Sequence, residues 1–368
     1  MSSKENLTLV VGARPNFMKA APLLNAISAL DWLPVRLIHT GQHFDENMSR
    51  VFFEQLRLPE PDAYLNVNVG EAAEQIAQVI SALAVEFSQH RPAAVCVFGD
   101  VNSTLAAAIA ANKMALPLAH VEAGLRSFDR RMPEEHNRIV TDMLSDLLFT
   151  PSADADVNLL KEGVAKERIF RVGNIMADSL LAFKPVAKNL ETYRRFGLQK
   201  SEYGLVTLHR PSNVDEAGSL KEILATLGEI SKKLPLLFPV HPRTRKKIDD
   251  LGLDSKEESG QIHLTDPLSY LDFLNLTMNA RVVLTDSGGI QEETTLVGVA
   301  CLTLRDNTER PITVSQGTNR LVGNTRRGIM DGFQAAMKEG GARAELPELW
   351  DGKTGERIAN ILHQRLNR

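Results

Sequence analysis

The stretch AVCVFGDVNSTLAAAIAANKMALPLAHVEAGLR, residues 94–126, decides the fold class. Its opening, Ala94–Phe98, is an unbroken apolar run of strand length. A Gly-Asp pair ends that run, and the spacing from Asn102 to Asn112 predicts a helix. Leu116–Val121 then predicts a second apolar strand. Strands that are apolar on both faces and joined by helices belong to a parallel sheet covered on both sides. Outward from this unit the same alternation continues. Leu7–Val11 (LTLVV), Val35–Thr40, Leu147–Thr150 and Ile169–Val172 predict strands. Helices are predicted near Asn16–Leu30, Asp45–Leu56 and Glu71–His90. After Asn174 the pattern restarts, with strands at Gly204–Leu208, Leu236–Val240, Ile262–Leu264, Arg281–Thr285 and Cys301–Leu304 and a helix near Leu220–Lys233. Roughly a dozen strands exceed one comfortable sheet, so two doubly wound halves are expected. The charged, helical segment Asp178–Glu202 is the expected junction, and a last helix is predicted near Thr354–Leu366.

The length, 368 residues, suits two domains or three. Lys plus Arg number 42 and Asp plus Glu 46, a net charge of −4, which argues against a general nucleic-acid or acidic-membrane binder. Cys96 and Cys301 are too few for a disulfide framework, and both sit in apolar runs that predict buried, reduced thiols. The opening MSSKENLTLVV lacks the apolar stretch of a signal peptide, and no run approaches the ~18 apolar residues of a membrane helix. A cytoplasmic globular protein is expected.

Open parallel sheets bind ligands at the carboxyl ends of their strands. Residues just after each apolar run therefore carry the functional reading. After the first strand come Gly12-Ala13-Arg14-Pro15-Asn16, with Lys19 one helical turn on. After the others come Thr40-Gly41-Gln42-His43, Gly99-Asp100, His120-Val121-Glu122, His209-Arg210, His241-Pro242-Arg243 and Asp286-Ser287-Gly288-Gly289. Gly288 and Gly289 at a helix start let backbone N–H groups approach a phosphate, although the same string serves as a plain tight turn. Glu293, one turn later, suits ribose hydroxyls or a solvated helix face. Arg14, Lys19 and Arg310 are cations for phosphate charge, each also suited to a surface ion pair. Asp100 suits acid–base work or a helix cap. Glu122 follows an apolar strand directly and needs a partner, for which Arg126 is the structural candidate. Glu134 follows Pro133, where acids commonly begin helices. His209 at a strand end favours function over filling. No metal-ligand spacing, dinucleotide fingerprint, P-loop or nucleophile elbow is present.

Taken together, GARPNFMK (12–19), TGQH (40–43), GDVNST (99–104), HVEAGLR (120–126), PEEHNR (133–138), VGN (172–174), LHRP (208–211), VHP (240–242), DSGGIQEE (286–293) and RDNTERP (305–311) resemble the non-hydrolysing UDP-N-acetylglucosamine 2-epimerases. The resemblance runs in the family's order from residue 12 to about residue 323, and the Trp350-Asp351-Gly352-Lys353 segment adds to it. It implies an α/β protein of GT-B fold, with two Rossmann-like doubly wound domains facing across a cleft, and a homodimer. The implied domains are residues 1–177, with a C-terminal helix at about 353–368 packing back on them, and residues 178–352, which bind UDP. The implied reaction inverts C2 of the sugar by eliminating UDP, forming a 2-acetamidoglucal and adding UDP back. The C2 proton is not acidic, so loss of UDP must drive the step, and acid–base groups plus a cationic cradle are required. No redox cofactor or metal is implied. Carried over by motif, Asp100, Glu122 and Glu134 are the catalytic carboxylates, and His209 is the catalytic or phosphate-contacting histidine. Arg14, Lys19, Ser287, Gly288, Gly289, Glu293 and Arg310 match UDP-binding positions.

Where many bacterial members continue the histidine motif as HRREN, this chain reads His209-Arg210-Pro211-Ser212-Asn213. Gln42, Arg210 and His241 match positions of a second, activating UDP-sugar site. Related enzymes act on UDP-2,3-diacetamido-2,3-dideoxyglucuronate, whose carboxylate Arg210, Arg243 or Arg130-Arg131 would suit. A hydrolysing epimerase, a GT-B glycosyltransferase and a non-catalytic nucleotide-sugar sensor stand as rivals. The GARPN opening favours the non-hydrolysing type, and three acids around C2 exceed what a transferase needs. The resemblance places the reaction in cell-surface polysaccharide precursor synthesis.

Overall fold

The computed structural model describes residues 6–41, 58–67, 70–252, 262–339 and 346–367. The helix expected near Asp45–Leu56 lies outside the described residues. The chain divides into two compact units, residues Met1–Ser179 with Glu348–Arg368 and residues Leu180–Pro347.

Unit 1 holds strands β1 (Leu7–Val11), β2 (Val35–His39), β3 (Ala63–Tyr64), β4 (Ala94–Phe98), β5 (Leu118–Val121), β6 (Leu147–Thr150) and β7 (Ile169–Arg171). They form one sheet in the order β3-β2-β1-β4-β5-β6-β7. Every pairing is parallel, with Leu9 beside Leu37 on one side and Cys96 on the other. β1 and β4 are buried at every residue, which is why their sequences are continuously apolar rather than alternating. Helices α1 (Arg14–Leu30), α2 (Ala72–Gln89), α3 (Asn102–Lys113), α4 (Pro133–Leu144) and α5 (Ala153–Lys161) connect the strands, and α6 (Ile175–Lys188) follows β7 and contains the unit boundary at Ser179. In α3 the alanines at 106, 107, 108, 110 and 111 are all buried, and such small side chains let it pack closely against its neighbours.

Unit 2 holds β8 (Gly204–Thr207), β9 (Leu236–Pro239), β10 (Ile262–Thr265), β11 (Val282–Thr285), β12 (Ala300–Thr303) and β13 (Asn319–Leu321), in the order β10-β9-β8-β11-β12-β13 and again all parallel. Its helices are α7 (Thr192–Arg195), α8 (Pro211–Val214), α9 (Ala217–Ser231), α10 (Pro242–Asp250), α11 (Tyr270–Asn279), α12 (Gly288–Val297), α13 (Ile312–Ser315) and α14 (Arg326–Glu339). Apolar clusters fill both faces of the sheet, one around Leu227, Phe238 and Phe333, the other around Tyr203, Leu237 and Leu276.

Both units are thus Rossmann-like doubly wound sheets, the two domains of a GT-B chain. In each the strand order turns back at one point, between β1 and β4 and between β8 and β11, where such sheets open a crevice for ligands.

β3 and β13 are the strands that hydrophobic runs did not reveal. They are two- and three-residue edge strands, half-exposed, so neither carries a continuous apolar run. The tail that belongs to unit 1 begins at Glu348, ahead of its helix α15 (Thr354–Leu366). Trp350 explains the early start: it is buried, and its indole N–H donates to the Pro151 carbonyl at 3.0 Å. Asp178 then accepts from the Thr354 and Gly355 N–H groups at 3.2 and 2.8 Å, satisfying the first turn of α15. Cys96 and Cys301 are free and buried, and burial pushes the Cys301 thiol up to about 11. Among the described residues no helix is long and apolar enough to cross a membrane.

Candidate active site

In unit 1 the switch point is laced by short polar side chains. Asn16 donates to the Phe98 carbonyl at 2.9 Å and accepts from the Gly12 and Ala13 N–H groups at 3.2 Å. Thr104 donates to the same Phe98 carbonyl at 2.7 Å, and Thr40 and Ser103 share a 2.7 Å hydrogen bond. These bonds tie the carboxyl ends of β1, β2 and β4 into one floor.

Two carboxylates stand on this floor. Glu122 follows β5 with φ +75°, a left-handed backbone that costs a non-glycine residue about 1–2 kcal/mol. Its carboxylate forms an ion pair with Lys19, and both residues are 7% exposed. Lys19 is therefore the cation beside Glu122, where Arg126 was the expected partner. Arg126 instead grips Asp142 at 2.8 Å and Glu162 at 2.7 and 2.6 Å. Gly99, at φ +63°, lies beside the Lys19–Glu122 pair: a Cβ there would stand 2.7 Å from Lys19 Nζ and 3.5 Å from Glu122 Oε2.

Asp100 follows β4. It does not cap α3, whose N-cap is Val101. Its Oδ2 accepts from Arg138 Nε and Nη2 at 3.0 and 2.8 Å, and its carbonyl accepts from Asn137 at 2.8 Å. Glu135, buried, accepts from the Ser127 and Phe128 N–H groups at 2.9 and 2.8 Å and also pairs with Arg138. Glu134 lies one residue earlier, half-buried in the first turn of α4. Beneath the carboxylates His120 spans Asp142 (2.6 Å) and the Gly99 carbonyl (2.8 Å), which ties β5 to the turn carrying Asp100. Burial alone would raise the Asp142 carboxyl, but His120 and Arg126 outweigh it and hold the group below the ordinary carboxylate range.

In unit 2 the switch point carries Asp286, Ser287 and the start of α12. The N-cap Ser287 makes no side-chain cap hydrogen bond, so the first N–H groups of α12 face outward at a half-exposed turn. A Cβ at Gly288 would overlap the Arg310 guanidinium and the Glu309 carboxylate, so any larger residue there would have to displace that ion pair. Arg310 is buried between Glu292 (2.8 Å) and Glu309 (2.6 Å), and Glu309 also binds Arg305 at 2.8 Å. Gln291 accepts from Thr308 and Asn319 at 2.6 and 3.0 Å, fastening the 305–311 loop to α12. Glu293 is buried one turn into α12. His209, after β8, is exposed, and its Nδ1 lies 2.9 Å from Asp286 Oδ1. Arg210 is half-buried, with Nη2 3.6 Å from Glu309.

Asp100, Glu122 and Lys19 thus share one sheet end, and Glu134 opens the helix whose Arg138 holds Asp100. Ser287, Gly288, Gly289, Glu293, Arg310, Arg210 and His209 share the other. His241 is exposed beside the start of α10. The side chain of Arg14 and the whole of Gln42 lie outside the described residues. Sequence reasoning passed over Arg138, Asp142, Asp286 and Glu309. Arg138, Asp286 and Glu309 lie inside quoted motifs and Asp142 does not, but which charge would face which was not legible there.

Chemically, unit 1 offers carboxylates seated against cations, the equipment for moving a proton. Unit 2 offers outward N–H groups, a histidine and arginines, the equipment for a diphosphate. Among the described residues no group of three or more His, Cys, Asp or Glu side chains is placed to hold a metal ion.

Comparisons with known proteins identify the family. The sequence model of the family described as UDP-N-acetylglucosamine 2-epimerase matches residues 25–363. The chain is 41% identical over 364 residues to a UDP-N-acetylglucosamine 2-epimerase of Methanocaldococcus jannaschii, covering 97% of this chain and 98% of that one. It is also 41% identical over 332 residues to a UDP-2,3-diacetamido-2,3-dideoxy-D-glucuronate 2-epimerase of Pseudomonas aeruginosa, covering 89% and 91% of the two chains. The crystal structure of the M. jannaschii UDP-GlcNAc 2-epimerase in complex with UDP-GlcNAc and UDP superposes with a TM-score of 0.90 at 40% identity, over 98% of this chain and 99% of that one. With a family match over nearly its whole length and relatives matched almost end to end, the chain belongs to the UDP-N-acetylglucosamine 2-epimerase family of isomerases.

Proposed function

We propose that the chain interconverts UDP-N-acetylglucosamine and UDP-N-acetylmannosamine without hydrolysis. The observation that carries this reading is the pair of strand-end carboxylates, Asp100 and Glu122, each seated against a cation on neighbouring strands of unit 1. A glycosyl transfer leaves the C2 proton in place. In the proposed reaction a carboxylate from the set Asp100, Glu122 and Glu134 takes the C2 proton. The C1–O bond breaks, and its electron pair leaves with UDP. Ser287, the Gly288 and Gly289 N–H groups, Arg310, Arg14 and His209 serve the diphosphate, Glu293 the ribose, and Lys19 holds Glu122. Delivery of a proton from a second carboxyl of that set to the opposite face of C2 and re-addition of UDP complete the inversion. No redox step occurs, because the bond electrons return to C1 with UDP.

A second reading rests on the Pseudomonas aeruginosa relative, as similar in identity as the archaeal one. It assigns the same chemistry to UDP-2,3-diacetamido-2,3-dideoxyglucuronate, with Arg210, Arg243 or Arg130-Arg131 on its carboxylate. A second UDP-sugar at Gln42, Arg210 and His241 as activator, a cytoplasmic site of action and a role in polysaccharide precursor synthesis belong to the proposal. So does a homodimer, for which the exposed Val140 and Met143, one turn apart on α4, offer an apolar face.

Proton NMR of UDP-N-acetylglucosamine with the enzyme in D₂O tests the reading. Loss of the C2 proton signal with growth of UDP-N-acetylmannosamine is expected. Free N-acetylmannosamine plus UDP would make the enzyme hydrolysing. Turnover confined to the diacetamido glucuronate would move the assignment to that sugar.

A further inference from the structure

We infer that Asp286 is a positioning residue for the reaction: it fixes the ring of His209 so that Nε2 is presented to the departing diphosphate. The inference deepens the proposed function and rests on its reading of His209.

Asp286 is fully buried at the unit 2 switch point. Its carboxylate gathers the backbone N–H groups of His209 (3.1 Å) and Arg210 (3.0 Å) and the Asn213 amide (3.2 Å). The fourth partner is the ring of His209, Nδ1 to Oδ1 at 2.9 Å. Burial by itself would raise this carboxyl, yet His209, the Arg210 N–H and Asn213 hold it below its usual range. An ionised carboxylate only accepts, so Nδ1 of His209 carries the hydrogen on that side. The other ring nitrogen, Nε2, is turned away from Asp286, on a side chain that is 54% exposed. Asp286 is followed directly by Ser287 and Gly288, so the residue holding the ring also leads into the outward N–H groups of α12.

The consequence for the reaction is specific. As the C1–O bond breaks, its electron pair passes to the β-phosphate oxygen while the C2 proton passes to a carboxylate. When Nε2 takes up a proton from solvent as the diphosphate binds, His209 donates that Nε2–H to the oxygen, with Asp286 on the opposite side of the ring. On return, the oxygen's electron pair re-forms the C1–O bond and a second carboxyl delivers a proton to the opposite face of C2. A ring whose second nitrogen has no fixed partner swings and samples the wrong tautomer, which costs catalytic groups of this kind orders of magnitude in rate.

A double-mutant cycle with kinetics and nitrogen NMR tests this. Asp286→Asn keeps the shape and removes the charge. It is expected to lower kcat by about 10–100-fold with KM changed less than about threefold. In a His209→Asn background the same substitution is expected to cost less than about threefold, because its effect runs through the ring. A purely structural Asp286 would lower kcat equally in both backgrounds, and that result overturns the inference. Long-range nitrogen–proton spectra of the unsubstituted enzyme, with the His209 signal assigned by its loss in His209→Asn, are expected to show the Nδ1–H tautomer. This measurement needs no variant at Asp286, and an Nε2–H tautomer there overturns the inference even if Asp286→Asn fails to fold. If His209→Asn turns over like the unsubstituted enzyme, the reading of His209 falls and the role of Asp286 with it. Equal losses alongside a defective His209→Asn remove only Asp286.

Discussion

The Lys19–Glu122 pair lends itself to a quantitative test, because the structure buries both partners and leaves each 7% exposed. Replacing one member strands the other charge away from bulk water, which costs about 3–5 kcal/mol in buried pairs. Removing both charges together leaves neither stranded and costs far less. Glu122→Gln and Lys19→Met are therefore each expected to destabilise unit 1 by about 3–5 kcal/mol, and the double variant by about 1–2 kcal/mol. For a domain of this size the single variants should melt about 6–20 °C lower. Chemical denaturation of the four proteins gives the coupling energy directly, and thermal scans check the order. The same Glu122→Gln protein reports on chemistry. Its turnover should fall by about 10²–10⁴-fold, while UDP affinity, measured by titration calorimetry, changes less than about threefold. Costs that add within about 0.5 kcal/mol would mean the two charges do not depend on one another, and the geometry would have been misread. Parallel loss of UDP affinity and turnover would remove Glu122 from the chemical step.

Two further perturbations follow from single residues. His39 is buried, stacked 5.1 Å from the Phe17 ring, and accepts from the Gly41 N–H at Nδ1 (2.9 Å). Burial lowers its pKa from 6.5 to about 4, so the unfolded chain takes up the proton first. The stabilisation is complete above pH 6.5 and is lost as pH falls toward 4. The loss is about 2 kcal/mol by pH 5, and denaturation of His39→Gln should lack that part of the slope. Gly288→Ala places a methyl against Arg310 and Glu309, so UDP affinity by calorimetry should fall at least about tenfold, and unchanged affinity would remove this turn from the nucleotide site.

How much was legible in advance differs by element. Buried strands such as Ala94–Phe98 announced themselves because both of their faces meet helices, so every residue is apolar. β3 and β13 did not, because an edge strand needs few apolar residues. The glycine pair at 288–289 was legible as a helix start, and at Gly288 the crowding comes from the Arg310 and Glu309 side chains, which no sequence window shows. The partner of Glu122 was not: Arg126 is near in sequence, yet Lys19 reaches it from α1, beside a different strand.

Sequence alone determined the alternation of buried strands and helices, the division into two doubly wound sheets and the strand ends at which chemistry collects. These follow from local composition and period, which any short window carries. Tertiary structure alone decided which charges meet: Lys19 with Glu122, Arg138 with Asp100, Arg310 between Glu292 and Glu309, and Asp286 behind His209. In a parallel sheet neighbouring strands are far apart along the chain, so the partners distant in sequence are set by strand order rather than by spacing.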